Sequence, residues 1–182
     1  MTLFNAYIAS GAVLTASGLA LASGTRGATA ALRGFPRSTA AAVVFFGGGA
    51  VWFLWGITRL GESDLAGFPR EWMLGIFGVA GLLAFKFLPD LLAVRGLAVL
   101  MLLSARALLD AGYMQVPHSL VLATTAYAFV VLGVWWGAAP YVFRDWSGWV
   151  LEKRPRTLAV GVLIGAVGLA NLISAFFVPA SA

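Results

Sequence analysis

The side chains able to do chemistry in this chain are few, and they do not assemble into a catalytic signature. There is one histidine, His118, and no cysteine. A single histidine cannot make a bis-histidine haem site or an H-E-x-x-H zinc motif. Without cysteine there are no thiolate metal sites, cysteine nucleophiles or disulfides. Ser10, Ser17, Ser104 and Ser174 lie in apolar stretches with no histidine within sequence reach. Neither a G-x-S-x-G nor a Walker-type or dinucleotide glycine fingerprint occurs. The expectation is therefore no catalytic residue, no metal, no cofactor and no enzymatic activity. A lipid-modifying intramembrane enzyme would need paired acid–base groups, and these are not evident.

Two groups of polar residues stand out against that background. Arg95 and Arg106 are eleven residues apart, roughly 20° in angle after three turns at about 100° per residue, and Asp110 follows Arg106 at i+4, the spacing of an ion pair. Lys86 and Asp90 precede them, so Lys86, Asp90, Arg95, Arg106 and Asp110 form a candidate charged cluster. With Arg59, Glu62, Asp64, Glu71 and His118, part of this set could gather in an outer vestibule. The plainer reading is snorkelling side chains plus a solvated pair at a helix end. His118 follows Pro117 where a loop or cap position is expected. Asn171, deep in an apolar run, must satisfy its amide, and interhelical hydrogen bonding is the expected solution, with solute binding second.

Glycine supplies the other candidates. Gly47-Gly48-Gly49 interrupts an apolar stretch, and each glycine costs a helix about 1 kcal/mol relative to alanine in water. The run is either a kink or unwound cavity wall of the kind transporters use, or a flat surface for close packing; we favour packing. Gly161, Gly165 and Gly168 follow three-and-four spacing, as do Gly11, Thr15, Gly18 and Ala22, and a shorter pair is Gly75 and Gly78. Such faces let backbones approach where lipid supplies no hydrophobic drive. They serve either packing within one bundle or association with another copy or subunit.

The elements that must hold these residues are membrane helices. The chain has 182 residues, 61% hydrophobic and 10% charged, with a mean hydropathy of +0.93, whereas soluble domains carry roughly 25% charge. A spanning helix takes roughly 20 apolar residues. Six segments meet or approach that length: Leu3–Ser23, Thr39–Leu60, Trp72–Leu88, Leu91–Leu109, Ser119–Ala139 and Thr157–Val178. Apolar residues run continuously rather than alternating, which excludes barrel strands. The predicted fold is an all-α integral membrane protein, a six-helix bundle forming a single transmembrane domain over residues 1–182. Between the third and fourth spans only Leu88-Pro89-Asp90 intervenes, and we read a tight hairpin flanked by Lys86 and Arg95. The alternative is one broken helix that buries Lys86, Asp90 and Arg95, which would mark a functional site.

Charge orients this bundle. Of twelve Lys and Arg, nine fall on one side (Arg26, Arg33, Arg37, Lys86, Arg95, Arg144, Lys153, Arg154, Arg156) and three on the other (Arg59, Arg70, Arg106). The positive-inside rule then places Gly24–Ser38, the Pro89 turn and Pro140–Arg156 inside, with both termini outside the plasma (inner) membrane. Trp55 and Trp72 fall near the outer boundary; Trp135, Trp136, Trp146 and Trp149 fall near the inner one, as aromatic belts do. The pI near 10.2 thus reflects loops facing an anionic leaflet rather than nucleic-acid binding. Ala20-Leu21-Ala22 has a small-x-small cleavage pattern, but no basic leader precedes the run and further spans follow, so an uncleaved first helix is expected.

In the inner loop Val142, Phe143, Trp146, Trp149 and Val150 share one helical face. This predicts a short amphipathic helix in the interface plane, with Phe143, Trp146 and Trp149 as anchors, or else a docking surface. Pro36-Arg37-Ser38 and Pro155-Arg156-Thr157 are alike, either from a duplicated hairpin or from a shared capped, basic helix start. The function expected from these features is a structural or accessory membrane subunit acting through helix packing. Its partners are membrane lipid and a second copy or another membrane subunit. The alternative is a small-solute transporter or channel with its site near Gly47–Gly49 and Asn171.

Overall fold

The computed structural model describes residues 1–61, 63–65 and 67–178, and every regular element among them is helical. The helices are α1 (Leu3–Ser23), α2 (Arg26–Gly34), α3 (Thr39–Thr58), α4 (Arg70–Phe87), α5 (Leu92–Ala111), α6 (Leu120–Ala138), α7 (Pro140–Glu152) and α8 (Arg154–Ala175). Five of them, α1, α3, α5, α6 and α8, are long and apolar enough to cross a membrane. α4 occupies the predicted third apolar segment, but its 18 residues include Arg70, Glu71 and Lys86. It therefore contains no charge-poor stretch of spanning length.

Local chemistry sets most helix ends. Thr2, Thr25 and Ser38 cap α1, α2 and α3, their hydroxyls accepting from the N–H groups of Asn5 (3.2 Å), Ala28 (3.3 Å) and Ala41 (3.1 Å). Gly24 closes α1 in the left-handed region at φ 58°, where a glycine carries no Cβ penalty. Pro140 and Pro155 sit in the first turns of α7 and α8, where their missing N–H is no loss. The chain breaks between Phe87 and Leu92, with Pro89 in the turn and Leu91 at φ 58°. The region Gly24–Ser38, read from sequence as a loop, is largely helical. The Thr25 cap and the alanines of α2 favour a helix too short and too basic for a hydropathy reading to find.

Two helix pairs organise the bundle. α1 packs antiparallel along α8, and α5 packs along α6. The pairs meet in a cluster of Leu3, Ala6, Tyr7, Ala105, Leu108, Leu122, Ala126 and Ala175. α3 lies on α5, and α4 lies against α3, reaching α5 only near the turn, where Ala84 packs with Ala42, Leu92 and Ala93. The middle of α3 widens into a π turn over Val43–Gly47. There Gly96 of α5 lets the two backbones close together, since a Cβ on it would strike the backbone of Phe46 and come within 2.6 Å of Phe45 C.

These contacts also sort the basic residues by end. Phe35, in the turn after α2, stacks on Phe45 (5.0 Å between centroids) and Phe143 (5.7 Å), and Phe143 meets Trp136 at 4.8 Å. α2, the start of α3, the α4–α5 turn, α7 and the start of α8 therefore share one end, which holds the nine basic residues assigned together from sequence. Arg59, Arg70 and Arg106 belong to elements at the opposite end.

Candidate functional site

The tightest part of the structure is the seam between α1 and α8. A Cβ on Gly161 would strike the backbone nitrogen of Ala22 and lie 2.8 Å from Gly18 O. One on Gly168 would strike Thr15 and sit 2.9 Å from Gly11 O. One on Gly18 would strike the backbone of Gly165. Gly165 itself differs, because a Cβ there meets only Gly18 Cα, at 3.9 Å. The glycines of α8 and the small residues of α1 thus face each other inside one chain. Arg154 closes the seam at the basic end: its guanidinium donates to the carbonyls of Ala22 (2.7 Å) and Ser23 (3.0 Å). That cation satisfies the last carbonyls of α1 and complements the helix dipole.

At the other end of the seam lies a polar knot. Asn171 is fully buried. Its Nδ2 donates to Thr125 Oγ1 of α6 at 2.9 Å and to the Val167 carbonyl at 2.9 Å, while Ser10 Oγ of α1 approaches its Oδ1 at 3.4 Å. Both amide hydrogens are therefore engaged, and three helices are tied at one point. About one helical turn closer to the N-terminus along α1, Tyr7 donates to the His118 carbonyl at 2.7 Å and accepts from the Leu122 N–H at 3.3 Å. Sequence reasoning singled out Asn171 but not Tyr7 or Thr125. Their only local signal is a hydroxyl in an apolar run, which several other residues share.

The remaining candidates are spread out. Arg106 and Asp110 form an exposed i,i+4 pair at 3.8 Å. Lys86 and Asp90 are exposed and Arg95 is half-buried; among the described residues no ion pair joins these three to one another or to Arg106 and Asp110. Within the glycine run, Gly47 and Gly48 have open space where a Cβ would be, whereas Gly49 is buried, with Val99 Cγ1 at 3.1 Å from that position. In α7 the buried positions are Pro140, Phe143, Ser147 and Val150. Trp149 is 52% exposed and stacks under the Arg156 guanidinium at 4.4 Å. Trp146 is half-buried against Trp136 at 5.8 Å. The inward face of α7 is thus rotated from the five-residue stripe, admitting Ser147, whose hydroxyl returns to the Arg144 carbonyl at 2.9 Å.

Two open features complete the description. α4 buries only Ala84 and leaves Trp72, Ile76, Val79, Leu82 and Leu83 exposed, with open space beside Gly75 and Gly78. Between α1 and α3, both of which rest on α5, there is a half-enclosed cavity of about 290 Å³ reaching Ser10, Val13, Trp52, Ser104 and Phe129. Among the described residues no group of three or more His, Asp or Glu side chains converges as metal ligands would. No family model, no curated protein and no solved structure matches the chain.

Proposed function

We propose that the chain is a non-catalytic membrane subunit that spans the bilayer six times and assembles, through helix packing, with a second copy or another membrane protein. The observation that carries this reading is the contrast between its glycine faces. Those of α1 and α8 fill each other, so they are not free for a partner. The face of α4 around Gly75 and Gly78, with Gly48 on the neighbouring α3, is unfilled within the chain, and small residues on apolar helices favour close approach of a second helix. α4 serves as the sixth span: 18 residues reach about 27 Å at 1.5 Å each, against a hydrocarbon core of about 30 Å. Arg70, Glu71 and Lys86 lie at its ends, where they snorkel to the interface. The nine basic residues at one end support an orientation with both termini outside. Passage of a solute past Asn171 has less support, because that side chain is fully buried with both amide hydrogens engaged, and Gly47 and Gly48 do not line the cavity between α1 and α3.

The chain lacks cysteine, so single-cysteine variants test both parts cleanly. Ala30→Cys should resist a membrane-impermeant maleimide in whole cells while Ser63→Cys reacts; the reverse pattern inverts the topology. With Gly75→Cys, crosslinking in native membranes should give a species at twice the 19.1 kDa monomer mass, or a defined heteromer identified by mass spectrometry. A monomer throughout, with Gly75→Cys inserted and folded, refutes assembly on this face.

A further inference from the structure

We propose that the cavity between α1 and α3 is a binding site for a small uncharged amphiphile, an alcohol-like molecule with one hydroxyl head and an apolar body of about a dozen heavy atoms. The cleft exists because α1 and α3 both pack on α5 without packing extensively on one another. Its floor is Ser104, Ala107 and Leu108 of α5, its walls are Ala9, Ser10 and Val13 of α1 and Trp52 of α3, and Phe129 of α6 and Met1 complete it. It reaches from the chain-terminal end of the bundle to about the middle of α1.

Size and chemistry choose the occupant. An apolar cavity of about 150 Å³ accommodates benzene, so about 290 Å³ corresponds to roughly twice benzene's six heavy atoms. No lining side chain is charged; the α-ammonium of Met1 is the one formal charge at the lining, and Met1 is 66% exposed, whereas an unpaired ion deeper in would carry a large desolvation cost, so the ligand is neutral. Two hydroxyls border the space. Ser10 Oγ already donates to the Ala6 carbonyl at 2.8 Å and keeps its acceptor capacity. Ser104 forms no hydrogen bond with the described residues. The hydroxyls of Ser23, Thr58, Thr124 and Thr125 each return to a carbonyl of their own helix; that of Thr15, like that of Ser104, has no partner among the described residues, but it lies in the α1–α8 seam and not on this space. A ligand hydroxyl accepts from Ser104, with the Ser10 oxygen as a second neighbour, which an acyl chain cannot do. This site is independent of the assembly face on α4.

The test uses the full chain in lipid nanodiscs with a diazirine-bearing decanol as photoprobe and mass-spectrometric mapping of adducts. Adducts should concentrate at Ser10, Val13, Trp52 and Phe129 and be displaced by unlabelled 1-decanol far better than by decane. Ser104→Ala should weaken displacement by decanol about three- to tenfold, the loss of one hydrogen bond, without changing displacement by decane. Ala107→Phe should abolish the adducts by filling the floor; if that variant fails to fold, the Ser104→Ala arm decides alone. Adducts spread evenly over exposed positions such as Val131 and Val162 overturn the proposal. So does equal displacement by decane and decanol, which identifies a groove for lipid tails, or saturable labelling unchanged by Ser104→Ala.

Discussion

Replacing single glycines of α8 by alanine should produce a pattern that alternates along one stripe. At Gly161 the added methyl would strike Ala22 N and lie 2.8 Å from Gly18 O; at Gly168 it would strike Thr15 and lie 2.9 Å from Gly11 O. These are backbone atoms of α1, so no rotamer change relieves the overlap and the helices must part by roughly 0.5–1 Å. Such a gap forfeits about a quarter to a half of each dispersion well. The seam holds at least as many heavy-atom pairs as one buried leucine, about 40–60, each worth about 0.1–0.2 kcal/mol, which is roughly 7 kcal/mol in total. Opening it therefore costs about 2–4 kcal/mol. At Gly165, between the other two, the methyl meets only Gly18 Cα at 3.9 Å, so Gly165→Ala should be neutral or stabilising by up to about 1 kcal/mol. Gly48→Ala, with open space around it, should be neutral or stabilising by up to the glycine–alanine helix difference of about 1 kcal/mol. Unfolding of each variant in mixed micelles by SDS titration, followed by tryptophan fluorescence, gives the free energies. Equal costs at Gly161 and Gly165, or a cost at Gly48 matching that at Gly161, would refute the argument that backbone approach between α1 and α8 holds the pair together.

Asn171→Leu removes the amide tie to Thr125 at nearly constant volume and should cost about 0.6–1.7 kcal/mol, the range for interhelical hydrogen bonds in membranes, in the same titration. Thr125 keeps its bond to the Val121 carbonyl at 3.0 Å, so a loss beyond about 3 kcal/mol would mean the knot does more than this bond. Arg154→Gln strips the cation from the end of α1 and should cost about 0.3–1 kcal/mol, shrinking as salt is raised; a salt-independent loss would point to packing instead. Gly96→Ala should destabilise by about 2 kcal/mol or more and speed amide exchange across Phe45–Gly49, because its methyl meets backbone at the π turn. Gly49→Ala, whose methyl meets the Val99 side chain at 3.1 Å and no backbone atom at shorter range, should cost less, and the reverse ranking would contradict that account.

Much of the helix placement was legible because its causes are local. α1 runs over Leu3–Ser23 as read from the apolar run, with Thr2 before it and Gly24 after it supplying both caps. Asn171 was expected to find its partner across a helix interface, and the Thr125 bond is of that kind. The helix α2 was missed because nine residues with two arginines give no hydropathy signal, although Thr25 and the alanines favour a helix. The Gly47–Gly49 run was read as either a break or a packing face, but the π turn over Val43–Gly47 was missed, since the backbone it lies against, at Gly96, is about fifty residues away.

The amino-acid sequence alone determined the apolar character, the positions of the long helices, the separation of basic residues into nine and three, and the poverty of catalytic groups. Each follows from composition or from chemistry within a few residues. Only the tertiary structure decided which glycines are used. Gly161 and Gly168 meet backbone across the α1–α8 seam, whereas Gly165, on the same stripe, has room to spare. Gly47 and Gly48 face open space, and Gly96 holds α3 and α5 together. Three-and-four spacing puts small residues on one face of a helix; what that face meets depends on how far, and at what height, a second helix approaches.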